Sequence, residues 1–413
     1  MSRRVDGPAV SDVVDGSSRA TRSPRTQWVL VAGASLISAS LAAYEIAPAS
    51  VTPLVRESLG IGASAAGLLV GVMFGAAVVA SLPVGAVLDR TNSRTAVAVA
   101  VAALLGVGVW GWAAAGRGSF AGVLASRFVG GIAYVVVWNA GIDIVSEATR
   151  TDHRATAVGA FTASGPVGFA LGQGAGPTVA ARLGWPAVLV AFNAFAVVGL
   201  VLFWPASRGL GSVEGQSPPS LAEFGTLFRD RGVWLVAGLG FLGYSLYLFV
   251  NSWAPSFLVE EVGVSLALSG LIVAGFPAVG VVSRVSGGAL SDYLFDGRRR
   301  PVVLVSFVVA TPLVVGFAVS RSLPVLVVAL LGAGFAIQLT LGLSFAYVRE
   351  LVAGRVAATA VAFQTSVGLG GAFLAPIVAG RLIETSGYRL TFLVAGALAA
   401  VGVVLAWVAP EPG

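Results

Sequence analysis

Gly85-Ala-Val-Leu-Asp-Arg-Thr-Asn-Ser-Arg94 is a short charged turn set between two long apolar runs. Residues 63–87 before it and 95–115 after it contain no charged side chain. Each run passes the ~20 residues that a helix needs to cross a hydrocarbon core, so Asp89, Arg90 and Arg94 are expected in a tight loop at one membrane face. The pattern returns as Gly288-Ala-Leu-Ser-Asp292, followed by Gly297-Arg-Arg-Arg300, at a shift of 203 positions.

The same shift relates Glu57 and Gly60 to Glu260 and Gly263, and Gly67-Leu68 to Gly270-Leu271. It also relates Ala155-Thr-Ala-Val158 to Ala358-Thr-Ala-Val361, and Gly184-Trp185 to Gly387-Tyr388. One ungapped shift through separate regions marks a duplicated chain, and internal symmetry of this kind is a mark of secondary transporters.

Of the 413 residues, 57% are apolar and 11% charged, a balance that excludes an ordinary soluble domain. There is no cysteine, so disulfides and thiolate metal sites are excluded. The net charge of +6 rests on 25 arginines and no lysine. These are spread over loops, which points to a membrane surface and not to nucleic acid.

Continuous apolar runs predict helices near 28–52, 63–87, 95–115, 120–145, 155–179, 186–206, 232–257, 266–288, 301–320, 323–347, 357–379 and 390–409. The runs do not alternate, so a barrel is excluded. The expected organisation is a disordered cytoplasmic tail (1–26), a six-helix bundle (27–206), a cytoplasmic linker (207–231) and a second six-helix bundle (232–409). With the N-terminus inside, the outer loops hold only Arg56, Arg117, Arg182, Arg321, Arg381 and Arg389, while the tail and the inner loops hold most of the rest. That asymmetry sets both termini in the cytoplasm and suits a multi-pass plasma-membrane protein. Gly67, Gly71 and Gly75, and then Gly172 and Gly176, are small-residue stripes fitted to helix packing or to sliding surfaces.

Gly85-x-x-x-Asp89-Arg90-x-x-x-Arg94, with its weaker copy at Gly288 and Asp292, resembles the loop signature of the major facilitator superfamily (MFS). The resemblance covers about residues 27–409 and implies twelve transmembrane helices in two pseudo-symmetric bundles, an all-α polytopic membrane protein that works as a monomer. The loop departs from the family at Asn92, where glycine is usual, and at Ser93, where a basic residue is usual. Asparagine tolerates positive φ, so the turn is expected to survive. Gly172-Gln-Gly-Ala-Gly176-Pro177, with Ala180-Ala181 after it, is similar to the fifth-helix signature of the family's proton antiporters.

Charge inside a span is costly and points to function. Glu45 in span one and Arg127 in span four lie about seven residues from the outer ends of their spans, roughly 10 Å deep. Equal depth and opposite sign suggest an ion pair or a shared cavity wall. The resemblance places spans one, four, seven and ten around a central pathway, which makes Glu45 the proton-coupling residue and Arg127 its modulator or an anion anchor. A hydrophobic cleft favours the neutral carboxyl and a nearby cation favours the carboxylate, so motion of Arg127 would switch the proton.

Tyr134 and Trp138 share a face with Arg127 and Gly131, and span seven offers Tyr244, Tyr247 and Asn251. With Gln338 and Gln364 they are candidate cavity residues, apolar and aromatic with a few hydrogen-bonding groups; singly, each also suits plain helix packing. The gating candidates are Gly85, Asp89, Arg90, Arg94, Asp143, Gly288 and Asp292. Asp143 and Glu147 are positioned to pair with Arg94 or Arg90 when an inner gate shuts, and Arg284 to do the same beside Asp292. By resemblance, Asp89 stabilises the outward-open state.

His153 is the sole histidine and sits among loop charges. No triad, metal set, cofactor motif or Walker sequence is present, so an enzyme and an ATP-driven pump are disfavoured. The expected function is alternating-access transport of a small organic solute, proton-coupled, with export favoured by the span-five pattern. The alternatives are a proton-coupled importer of a small organic anion, or a non-transporting receptor on the same fold.

Overall fold

Local chemistry sets the ends of each helix. Span one runs Pro24–Ser50: Ser23 Oγ accepts from the Thr26 N–H, and Pro24 sits at the first position, where a missing N–H costs nothing. A turn at Val51 leads to the short helix Thr52–Leu59, which ends at Gly60 with φ 61°. Spans two to five are Ala63–Leu88, Ser93–Gly116, Phe120–Ala148 and Arg154–Leu183. Spans seven to ten are Arg231–Glu260, Leu266–Leu294, Arg300–Val319 and Leu323–Glu350. The computed structural model describes residues 23–88, 90–210, 225 and 227–411. Most of the expected tail, Asp89 and much of the expected linker lie outside the described residues.

Among the described residues, ten helical stretches are long and apolar enough to cross a membrane. One of them, Gly354–Val408, is 55 residues long and contains two spans: its helix Ala357–Val408 breaks at Gly387, with φ 75° and ψ 174°. Span five adds a further crossing of 30 residues, made less apolar by its Gly, Thr and Pro. Among the described residues the architecture is all-α, with twelve spans.

Three expectations are corrected. Span six, expected as one helix over 186–206, opens with 3-10 turns at Trp185–Leu189 and Ala191–Asn193, and its α-helix is Ala194–Ala206. Gly184 at φ 79° sets the turn before it, and Asn193 donates to the Leu104 carbonyl at 2.8 Å. Asn92 does not adopt positive φ. Its φ is −67°, and its side chain caps span three by accepting from the N–H groups of Arg94 and Thr95. Residues 24–26, expected in the tail, already belong to span one.

The first six spans meet the last six along two seams, span two against eleven and span five against eight. At the first, Gly67 packs on the Pro376 carbonyl, with Gly71 and Gly75 against Phe373. At the second, Gly270 packs on the Gln173 carbonyl. The shift of 203 carries Gly67 to Gly270 and Gln173 to Pro376, so the two seams are copies of one contact. The stripe Gly172 and Gly176 lies instead against span one. Polar contacts join the two sets at the face opposite the termini: Arg56 pairs with Glu260 at 3.1 Å, and the Ser64 N–H donates to Glu384 at 2.9 Å. A part-exposed ion pair contributes only ~0.2–1 kcal/mol, so close helix packing carries most of the seal.

Candidate functional site

On the termini side of these seams lies a cavity of about 300 Å³ between the two helix sets. Spans one, two, four and five supply one wall, and spans seven, eight and ten the other. Its surface is aromatic. Tyr134 stacks on Trp138 with centroids 6.2 Å apart, Phe74 meets Tyr134 edge-on at 6.5 Å, and Phe169 contacts Tyr247 at 5.5 Å. Tyr244 lines the same space.

Glu45 lines the cavity, and neither carboxylate oxygen has a hydrogen-bond partner in the protein. Arg127 does not pair with it. Its Nη1 donates to the Tyr44 carbonyl at 3.2 Å, its Nη2 to the Glu45 carbonyl at 2.6 Å, and its Nε to the Leu69 carbonyl. The reason lies in the backbone. Tyr44 O would normally accept from the amide four residues on, but that residue is Pro48, which has none. Arg127 therefore satisfies a carbonyl that a proline has orphaned, deep in the first six spans, and it is off the cavity wall. Tyr134 and Trp138 share its helix face, lie further toward the termini side, and line the cavity.

The cationic group that does reach the cavity is Arg284 of span eight. Its guanidinium carbon lies 5.9 Å from the Tyr247 ring centroid, and its buried Nε lacks a partner. Arg284 was expected near Asp292 at the end of a span closing at 288. The helix in fact continues to Leu294, which sets Arg284 ten residues from its end, roughly 15 Å deep.

Other expected cavity residues lie elsewhere. Gln338 donates to the carbonyls of Phe276 and Gly334 at 3.0 and 3.2 Å and packs on Gly280. Gln364 is buried against Gly240. Both amides are packed between helices of the second set. Asn251 lies one turn beyond the cavity, donating to the Tyr247 carbonyl at 2.9 Å.

At the loops, Arg94 donates to Ser207 Oγ at 3.1 Å and to the Trp204 carbonyl at 3.0 Å, and stacks 3.6 Å from the Trp204 ring. It thus fastens span six to the start of span three. Arg90 and Asp143 are exposed at the same face, and Gly85 and Gly288 have open space around them. Asp292 pairs with Arg299 at 2.7 Å, and Arg299 also binds Glu350 at 3.0 Å. The Glu350 carboxylate, followed by Asp292, holds the Arg299 guanidinium well above its ordinary range.

A family profile described as Major Facilitator Superfamily matches residues 30–373 and 258–413. The chain belongs to that superfamily. It is a multi-pass membrane transporter and not an enzyme. Among curated MFS relatives, a probable L-galactonate transporter of Escherichia coli is 25% identical over 322 residues, covering 73% of this chain and 69% of the relative. A nitrite extrusion protein of Bacillus subtilis is 27% identical over 38% of each chain. A hexuronate transporter of the same species is 23% identical over 40% of this chain and 43% of its own length. The fold matches the crystal structure of a bacterial homologue of the human lysosomal transporter Spinster, in inward-facing unoccupied and occupied forms. The TM-scores are 0.78 and 0.80 at 18% identity, over 94% of this chain and 97% of that one.

Proposed function

We propose that this MFS protein imports a small organic anion together with protons, by alternating access between its two helix sets. The observation that carries this reading is Arg284, a guanidinium on the cavity wall that makes no ion pair among the described residues. A planar guanidinium suits a carboxylate, and the Tyr and Trp walls suit the carbon skeleton and its hydroxyls. The anion-anchor role proposed for Arg127 passes to Arg284. Two relatives have names that specify sugar acids, which supports the same class of substrate.

Glu45 supplies the coupling. A bound anion and the Glu45 carboxylate repel across one cavity, and protonation of Glu45 removes that repulsion. Proton and anion therefore favour each other's binding, and by linkage the effect is reciprocal. Cotransport follows from that sign. Export remains the second reading, supported by the Gly172–Pro177 pattern and by the relative named for nitrite extrusion. The arginine distribution supports cytoplasmic termini, which puts the cavity on the cytoplasmic side of the two seams.

Thermal stabilisation of the purified protein by a panel of sugar acids and their neutral sugars tests the substrate class. Stabilisation by the acids only, lost in Arg284→Gln and partly kept in Arg284→Lys, is the expected result. Equal stabilisation by neutral sugars would exclude an anion site.

A further inference from the structure

Asn251 and Gln173 are both fully buried, on span seven of the second set and span five of the first. The Asn251 carbonyl has no helical partner, because the residue four positions on is Pro255. The Gln173 side-chain amide fills that place, with Nε2 donating to Asn251 O at 2.6 Å. The bond therefore crosses from one helix set to the other. One turn nearer the cavity, the rings of Phe169 and Tyr247 touch across the same gap, and both line the cavity. One turn further out on span five, Pro177 likewise removes the amide that would serve the Gln173 carbonyl, and Gly270 of span eight packs on that oxygen.

We propose that Gln173 is a positioning residue of the transport cycle: it locks the side of the cavity opposite the termini by filling the hydrogen-bond vacancy that Pro255 makes in span seven. Any state open on that side must part span five from span seven. Asn251 O then loses its donor, and no amide of its own helix can replace it. Opening exchanges this bond for hydrogen bonds to water and forfeits its net worth, so the bond favours the state closed on that side. The lock sits directly on the Phe169–Tyr247 contact, so whatever spreads those rings also strains the bond. This inference rests on the transporter fold and not on the identity of the substrate.

The absence of cysteine allows two labels to be placed without background. Arg182→Cys and Ala267→Cys, both exposed at the far ends of spans five and eight, carry spin labels for distance measurement in the full chain in phospholipid nanodiscs. Gln173→Leu keeps the bulk and removes the donor. It is expected to raise the population with long label separation by roughly twofold to tenfold, the net worth of one hydrogen bond. Pro255→Ala restores an amide to Asn251 O and leaves the Pro255 carbonyl that accepts from Ser269 in place, and it is expected to shift the population in the same direction by itself. In the Pro255→Ala background, Gln173→Leu should then add little. If Gln173→Leu shifts the distribution equally with and without Pro255→Ala, Gln173 is a packing residue and the lock is wrong. If Gln173→Leu does not fold, an unchanged distribution in Pro255→Ala alone overturns the lock equally.

Discussion

Arg127 and Arg284 are both guanidiniums inside spans, yet one holds backbone and the other faces a cavity. Arg127 serves the carbonyls of Tyr44, Glu45 and Leu69, and of these the Tyr44 carbonyl has no helical amide, so loss of Arg127 leaves that buried acceptor unserved at about 1–3 kcal/mol. Arg127→Leu should therefore lower the unfolding temperature markedly while leaving the apparent KM for solute unchanged in whatever protein folds; a raised KM at unchanged stability would return Arg127 to the cavity. Arg284→Gln should do the reverse, raising the KM for an anion at least tenfold with little change in stability, as expected for loss of a charge-assisted contact. The place of Glu45 on a cavity wall was legible in the sequence because a carboxylate inside an apolar run has few structural uses. The partner was misassigned because depth alone cannot show that Pro48 leaves a carbonyl for Arg127 to serve. Arg284 was missed as a cavity residue because Gly287 and Gly288 look like a span end, whereas the helix passes through both.

Helices were legible wherever an apolar run met a loop with charges or a capping residue, since helix formation in a membrane follows from backbone satisfaction alone. Span six was not, because its opening depends on the Asn193–Leu104 bond between helices. Gln338 and Gln364 show a related limit: a period of 3.6 fixes a face but not which neighbour covers it. The small residues at the seams are where element-scale change should act. A methyl group at Gly67 would meet the Pro376 carbonyl, and one at Gly270 would meet the Gln173 carbonyl. Backbone atoms on both sides cannot rotate away. Gly67→Ala and Gly270→Ala should each weaken closure on the face opposite the termini, seen as a longer separation between labels at Arg182→Cys and Ala267→Cys. An unchanged separation would mean that the seams have slack.

At the scale of the molecule, one shift of 203 positions generates both seams and brings Glu45 and Arg284 into one cavity from opposite halves of the chain. The duplication was readable because it preserved glycines and loop charges, which membrane packing constrains strongly. The cavity contents were only partly readable: Tyr134, Trp138, Tyr244, Tyr247 and Glu45 line it, whereas Arg284 comes from a span that the family pattern had not placed there. The proposed coupling rests on the opposition of a carboxylate without a hydrogen-bond partner and a guanidinium without an ion pair across that space. Uptake into proteoliposomes of a radiolabelled sugar acid that stabilises the purified protein, with an acid-outside pH gradient and with none, tests it most directly. The expected result is accumulation driven by the gradient in the native protein, gradient-independent exchange in Glu45→Gln, and neither in Arg284→Gln. Accumulation indifferent to the gradient in the native protein, or a Glu45→Gln variant that still follows it, would contradict proton–anion cotransport.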